Sequence, residues 1–137
     1  MRHLRVALCQ MNSTVGDLTG NVDKMKKMID TSKMLGAELV VFPELAIPGY
    51  PPQDALLYDG LNRDMENADA EFFRFLQAKA EANHGRGAIV IWGNIRRAMG
   101  LRNSAKIFIP GQTANGFPLK AAQYQDKRRL PNYGVFD

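Results

Sequence analysis

Leu39-Val40-Val41-Phe42-Pro43-Glu44 is an unbroken apolar run closed by a proline and followed at once by a carboxylate. With no polar residue to mark a wet side, the run reads as a strand over 38–42, of the kind found in sheets covered on both faces. Upstream, residues 4–10 alternate, placing Leu4, Val6 and Leu8 on one face and Arg5, Ala7 and Cys9 on the other, which is a second strand. Between the two, Gly16, Asp17 and Gly20 break the chain. From Asn21 the apolar positions Val22, Met25, Met28, Ile29 and Leu35 recur at helical spacing, and Gly36 supplies the stop. A crossover of this length joins parallel strands, so the opening unit is β-α-β.

Beyond the run, Pro43, Pro48, Gly49, Pro51 and Pro52 predict a stiff, irregular loop, because each proline fixes its own φ and removes a backbone donor. Leu61, Met65, Ala68, Phe72, Phe75, Leu76 and Ala80 then predict a long helix over 61–83 that ends near Gly85, its methionines and phenylalanines turned to the core. Residues 88–94 read as a third buried strand. Met99-Gly100 and Pro110-Gly111 mark turns between shorter strands near 104–109 and 119–124, so the pattern passes from β-α-β to a meander. Without an internal repeat or linker, one mixed α/β domain is the economical reading.

Composition narrows the function classes. The chain has 137 residues, 45% of them hydrophobic and 23% charged, which is the balance of a folded globular chain and excludes collagen-like and low-complexity readings. Its longest apolar runs fall far short of the ~20 residues that cross a bilayer, and residues 1–6 lack a signal peptide's apolar centre. The expectation is a cytoplasmic chain with no membrane contact. A single cysteine, Cys9, forms no internal disulfide and no thiolate cluster, and it reads as a core residue. His3 and His84 have no partner at metal-ligand spacing, so no metal site is expected. The net charge of +4 gathers in Arg96-Arg97, Arg102 and Lys127-Arg128-Arg129. These groups are shorter than a nucleic-acid recognition patch and read as solvated surface.

Two residues carry chemistry. Glu44 stands just past the C-terminal end of a buried strand, the edge at which open α/β sheets bind ligands. Phe42, Pro43 and Leu45 around it predict partial desolvation, which favours the neutral form and raises basicity toward the range useful for proton transfer. Lys127 offers a point charge suited to a developing oxyanion. Taken singly, a loop glutamate and a lysine in a basic run are ordinary surface residues, and the pair is informative only together, in this order and spacing.

Those segments carry a resemblance. Ala7-Leu8-Cys9-Gln10-Met11-Asn12, Val15-Gly16-Asp17, Leu39-Val40-Val41-Phe42-Pro43-Glu44-Leu45 and Gly49-Tyr50 resemble the opening of the nitrilase, or carbon-nitrogen hydrolase, superfamily. Within it, Gly49-Tyr50-Pro51-Pro52-Gln53-Asp54, Asn103-Ser104-Ala105 and the stretch from Lys127 through Leu130-Pro131-Asn132-Tyr133-Gly134-Val135-Phe136-Asp137 are similar to the glutaminase domain of glutamine-dependent NAD synthetases. Phe-Pro-Glu alone is a weak signal, whereas the closing stretch is specific.

The resemblance implies the N-terminal part of an α-β-β-α four-layer sandwich that works with a Glu-Lys-Cys triad. It assigns the general base to Glu44, the oxyanion-stabilising lysine to Lys127 and substrate contacts to Tyr133 and Tyr50. The nucleophilic cysteine is expected on a strand beyond residue 137. The implied reaction is hydrolysis of the glutamine amide, with the ammonia passed to an ATP- and magnesium-dependent synthetase domain that acts on deamido-NAD and lies outside these residues. No cofactor is implied for residues 1–137 themselves, and a homo-oligomer is. A stand-alone amidase or carbamoylase with the same triad is the nearest alternative. A non-catalytic interaction fragment is the alternative from another class.

Overall fold

The computed structural model describes residues 1, 3–52, 59–111, 113–114, 117–118 and 122–128. Strands β1 (Val6–Leu8), β2 (Leu39–Val41) and β3 (Ile89–Ala98) run parallel, with Val6 opposite Leu39 and Leu39 opposite Ile89. Helix α1 (Leu18–Met34) makes the first crossover and α2 (Asp59–Glu81) the second. The chain then turns at Met99, and β4 (Gly100–Phe108) returns antiparallel to β3. A small hairpin of β5 (Thr113–Ala114) and β6 (Phe117–Pro118) follows, and β7 (Gln123–Asp126) closes the sheet order β1-β2-β3-β4-β7. The expected β-α-β order is present, with α2 two residues earlier at each end than its apolar spacing suggests; of the last strand expected over 119–124, residues 119–121 lie outside the described residues and β7 runs on to Asp126. The β3-β4 hairpin is longer than expected, because pairing continues through Arg96 and Arg97 to Ala98 opposite Gly100.

Helix α1 starts earlier than its apolar spacing suggests. Asp17 and Gly20 do not break it: the Asp17 side chain accepts the Gly20 N–H at 3.0 Å and caps the first turn. A Cβ on Gly20 would lie 2.2 Å from an Asp17 carboxylate oxygen, so the glycine is what admits the cap. One turn on, Asn21 is fully buried and joins three segments. It accepts the Thr14 N–H at 2.8 Å and donates to the carbonyls of Thr14 at 2.7 Å and Ile47 at 2.8 Å. A buried amide in which both ends are satisfied fixes the loops it bridges.

The alternation of the strands separates two faces. Val40, Phe42, Val90 and Trp92 pack beneath the helices, where Phe72 of α2 meets Phe42 and Trp92 edge-on at 5.9 and 5.3 Å between ring centroids. Trp92 Nε1 and Asn94 Nδ2 donate to Asp69 of α2, and Lys106 pairs with the same carboxylate at 3.0 Å, tying helix to sheet. The other face carries Val6, Leu8, Ile89 and Ile91, with Leu8 78% exposed. Both faces of β2 were expected to be covered, but Leu39 and Val41 are only half-buried. Among the described residues, the structure comprises one helix layer on one sheet layer.

The turn after β2 closes directly onto β3. Phe42 N–H donates to Ile91 O at 2.8 Å, Gly93 N–H to Pro43 O at 3.2 Å and Ala46 N–H to Gly93 O at 2.9 Å. A Cβ at Gly93 would stand 2.5 to 2.8 Å from backbone atoms of Leu45, Glu44 and Pro43, so only glycine permits the approach. Leu45 adopts φ +53, a left-handed conformation that costs a leucine on the order of 1–2 kcal/mol. Its side chain is 2% exposed, and burial worth about 1.5–3 kcal/mol offsets the strain. Gly93→Ala is therefore expected to lower the unfolding free energy by about 1–3 kcal/mol through overpacking, measured by denaturant titration. A change within ~0.5 kcal/mol would mean that the turn yields freely.

Candidate active site

Closure of that turn sets Glu44 on the sheet face away from the helices. Its Oε1 accepts from Lys127 Nζ at 3.0 Å, across 83 residues of sequence, and from Asn103 Nδ2 at 2.5 Å. Lys127 directly follows β7, and its N–H donates to Asn103 O at 2.8 Å, which extends the β4-β7 ladder by one step. Two chain segments without local reason to meet thus bring a carboxylate and an ammonium into contact. Both side chains remain part-exposed, 48% for Glu44 and 38% for Lys127.

The electrostatics differ from the sequence expectation. The Lys127 ammonium holds the Glu44 carboxyl below the ordinary carboxylate range; partial burial opposes this, and the Asn103 amide adds to the lowering. Desolvation by Phe42, Pro43 and Leu45 was expected to dominate and does not, because a charged donor in contact outweighs it. Glu44 is consequently ionised at neutral pH. It is ready to accept a proton, yet weakly basic while the groove stays open to water.

Two shallow depressions meet at Glu44. One is lined by Met11, Asn12, Ser13, Pro43 and Tyr50, and the other by Phe42, Ile91, Gly93, Asn103, Ala105 and Lys127. Tyr50 therefore shares a groove with Glu44, with its side chain half-exposed. Tyr133 lies outside the described residues. Cys9 is buried at the end of β1, its Sγ 3.9 Å from Ser32 Oγ under α1, and burial pushes its thiol pKa up. Cys9 is thus buried in the core, as expected.

The basic clusters are not simply solvated. Arg96 forks onto Asp126 at 2.6 and 3.2 Å and stacks 3.9 Å above the Tyr124 ring, while Ser104 Oγ donates to the same carboxylate at 2.6 Å. Arg96 and then Ser104 hold the Asp126 carboxyl below its usual range. Because Asp126 precedes Lys127, this clamp fixes the residue that carries the lysine. Arg97 pairs with Asp59 at 2.7 Å. Sequence reasoning did not single out Asn103 as a partner of Glu44, nor the clamp. Their signal is the β3-β4-β7 register, which single-strand patterns do not contain.

The Carbon-nitrogen hydrolase family model matches residues 5–136. The chain belongs to the carbon-nitrogen hydrolase family. It is 34% identical over 137 residues to the glutamine-dependent NAD(+) synthetase of Thermotoga maritima, covering 100% of this chain and 21% of that protein. The solved structure of the Acinetobacter baumannii glutamine-dependent NAD+ synthetase in complex with ADP superposes with a TM-score of 0.74 at 32% identity, over 98% of this chain and 22% of that one. An amidase from Nesterenkonia sp. shares the fold at TM-score 0.73 and 18% identity, over 96% of this chain and 44% of its own. This carbon-nitrogen hydrolase chain thus spans about a fifth of the length of the synthetases it matches. The nitrilase-type α/β fold expected from the sequence is present in the part that these residues cover. Among the described residues no helix is long and apolar enough to cross a membrane.

An ion pair as exposed as that between Glu44 and Lys127 contributes about 0–1 kcal/mol. Glu44→Gln should accordingly change the unfolding free energy by less than ~1 kcal/mol at pH 7, against the larger loss expected for Gly93→Ala. The folded-state pKa of Glu44 is lowered, so this small stabilisation is complete above the ordinary glutamate value near ~4.3 and fades as pH falls through the lowered one. Denaturant midpoints at pH 7 and pH 3 check both points. A wild-type advantage that grew toward acid pH would have the wrong sign.

Proposed function

We propose that residues 1–137 are the N-terminal part of a glutaminase domain whose complete protein hydrolyses the glutamine amide and delivers ammonia to ATP-dependent synthesis of NAD from deamido-NAD. The observation that carries this reading is the contact of Glu44 and Lys127 at 3.0 Å on the sheet face away from the helices. The identity with glutamine-dependent NAD synthetases over the whole of this chain supports the choice of amide and acceptor.

In this reading a thiol from a strand beyond residue 137 enters the groove beside Glu44. Glu44 takes the thiol proton as the sulfur attacks the amide carbon, and the C–O double bond opens to an oxyanion that faces the Lys127 ammonium. Collapse breaks the C–N bond, and Glu44 returns the proton to the departing nitrogen, which leaves as ammonia. Water, deprotonated by Glu44, then cleaves the thioester to glutamate and free thiol. The lowered pKa of Glu44 suits the resting state. A second sheet packed on the exposed face, where Val6, Leu8 and Ile89 now meet solvent, would exclude water and raise its basicity at the moment of transfer. Tyr50 lines the substrate side of the groove, and Tyr133 is assigned to substrate contact by motif alone.

ATP and magnesium belong, in this reading, to a synthetase segment outside these residues. The described residues gather no group of three His, Cys, Asp or Glu side chains that would hold a cation. The complete enzyme is proposed to act in the cytoplasm as a homo-oligomer.

Glu44→Gln and Lys127→Ala in the full-length protein should each reduce glutamine-dependent NAD synthesis by at least about 10²-fold while leaving ammonia-dependent synthesis near wild type. Arg128→Ala should cost less than about fivefold. Equal loss of both activities would indicate misfolding, and no loss would remove these residues from the chemistry. The 137-residue chain alone should release no ammonia from glutamine, with Cys9→Ser indistinguishable from it.

A further inference from the structure

We propose that Asn103 is a positioning residue that divides the work of the two Glu44 carboxylate oxygens, holding Oε1 so that Oε2 takes the proton. The inference rests on the reading of Glu44 as the general base. Asn103 Nδ2 at 2.5 Å and Lys127 Nζ at 3.0 Å both donate to Oε1, and among the described residues no donor reaches Oε2. With both in-plane lone pairs of Oε1 engaged, the proton leaving a thiol has only Oε2 to bind. It forms an O–H bond there, and from there it passes to the departing nitrogen.

Asn103 is well placed for this task. It lies inside β4, opposite Ile95 in the hairpin register, so it stands on a rigid ladder, whereas Glu44 stands on a turn with a part-exposed side chain. Its backbone carbonyl accepts the Lys127 N–H at 2.8 Å while its side chain holds Glu44, so one residue references both partners to the same strand. An amide fits because it donates without adding charge. A second cation would hold the carboxylate too firmly ionised to act as a base, and a carboxylate would repel it. Lys127 supplies the charge, and Asn103 sets the orientation. Because a donor to the ionised form lowers its proton affinity, removing Asn103 must raise that of Glu44.

The test measures pH profiles of glutamine-dependent kcat and kcat/KM in the full-length protein, with ammonia-dependent synthesis as the folding control. Asn103→Ala is expected to lower kcat on the order of 10- to 100-fold through misorientation, with KM for glutamine within about threefold. Its acid limb should move to higher pH. Asn103→Asp, nearly isosteric and therefore expected to fold, should move that limb further up by like-charge repulsion. An acid limb unmoved in Asn103→Asp, or a kcat within about threefold of wild type in Asn103→Ala, overturns the proposal while a dead Glu44→Gln leaves the general-base reading intact. A fully active Glu44→Gln would overturn the reading itself, and the role of Asn103 with it.

Discussion

The backbone contact at Gly93 is the constraint on which the site depends. Glu44 cannot stand over the β3-β4 hairpin unless Pro43, Glu44 and Leu45 close onto β3, and a Cβ at Gly93 would sit within 2.5 to 2.8 Å of that backbone. Hydrogen bonds through Pro43 O and Gly93 O secure the closure, and Asn21 of α1 donates to the carbonyl of Ile47 further along the same turn. The strain at Leu45 belongs to the same arrangement: a buried leucine in a left-handed conformation is the cost of reversing the chain right after β2.

The two sheet faces divide the labour. Aromatic packing around Phe72 and the Asp69 network hold the helix layer to the sheet. The opposite face bears exposed aliphatics and, at its rim, the contact between Glu44 and Lys127. A charge pair on a half-covered surface contributes little to stability. The Arg96-Asp126-Ser104 clamp works from the helix side to fix the residue beside Lys127, and Asn103 acts from the site side. Lys127 is thereby held through its backbone, and its ammonium meets Glu44 Oε1 at 3.0 Å.

Much of this was legible before the structure. The apolar run through Phe42, the alternation around Ala7 and the helical spacing of Phe72 and Leu76 reflect local periodicity, and local periodicity survives into the fold. Gly20 misled because its value lies in admitting the Asp17 cap, a pairing that spacing alone does not reveal. Glu44 and Lys127 were visible through motif and strand-end position. The sign of the Glu44 shift was not, since it depends on which neighbour sits at hydrogen-bond distance, and that neighbour is 83 residues away. The contacts of Asn103 and Arg96 were hidden for the same reason, since they exist only in the register of three strands, although Asn103 stood within a quoted motif.

In the proposed function Glu44 and Lys127 act as one unit and not as two separate contributors. A double-mutant cycle on glutamine-dependent kcat/KM in the full-length protein tests it most directly, with Glu44→Gln, Lys127→Ala and the double variant assayed beside ammonia-dependent synthesis. Groups that work as a unit are strongly non-additive, so the double variant should be no more than about threefold worse than the weaker single one. Losses that multiplied would mean that the contact seen here is incidental to the reaction.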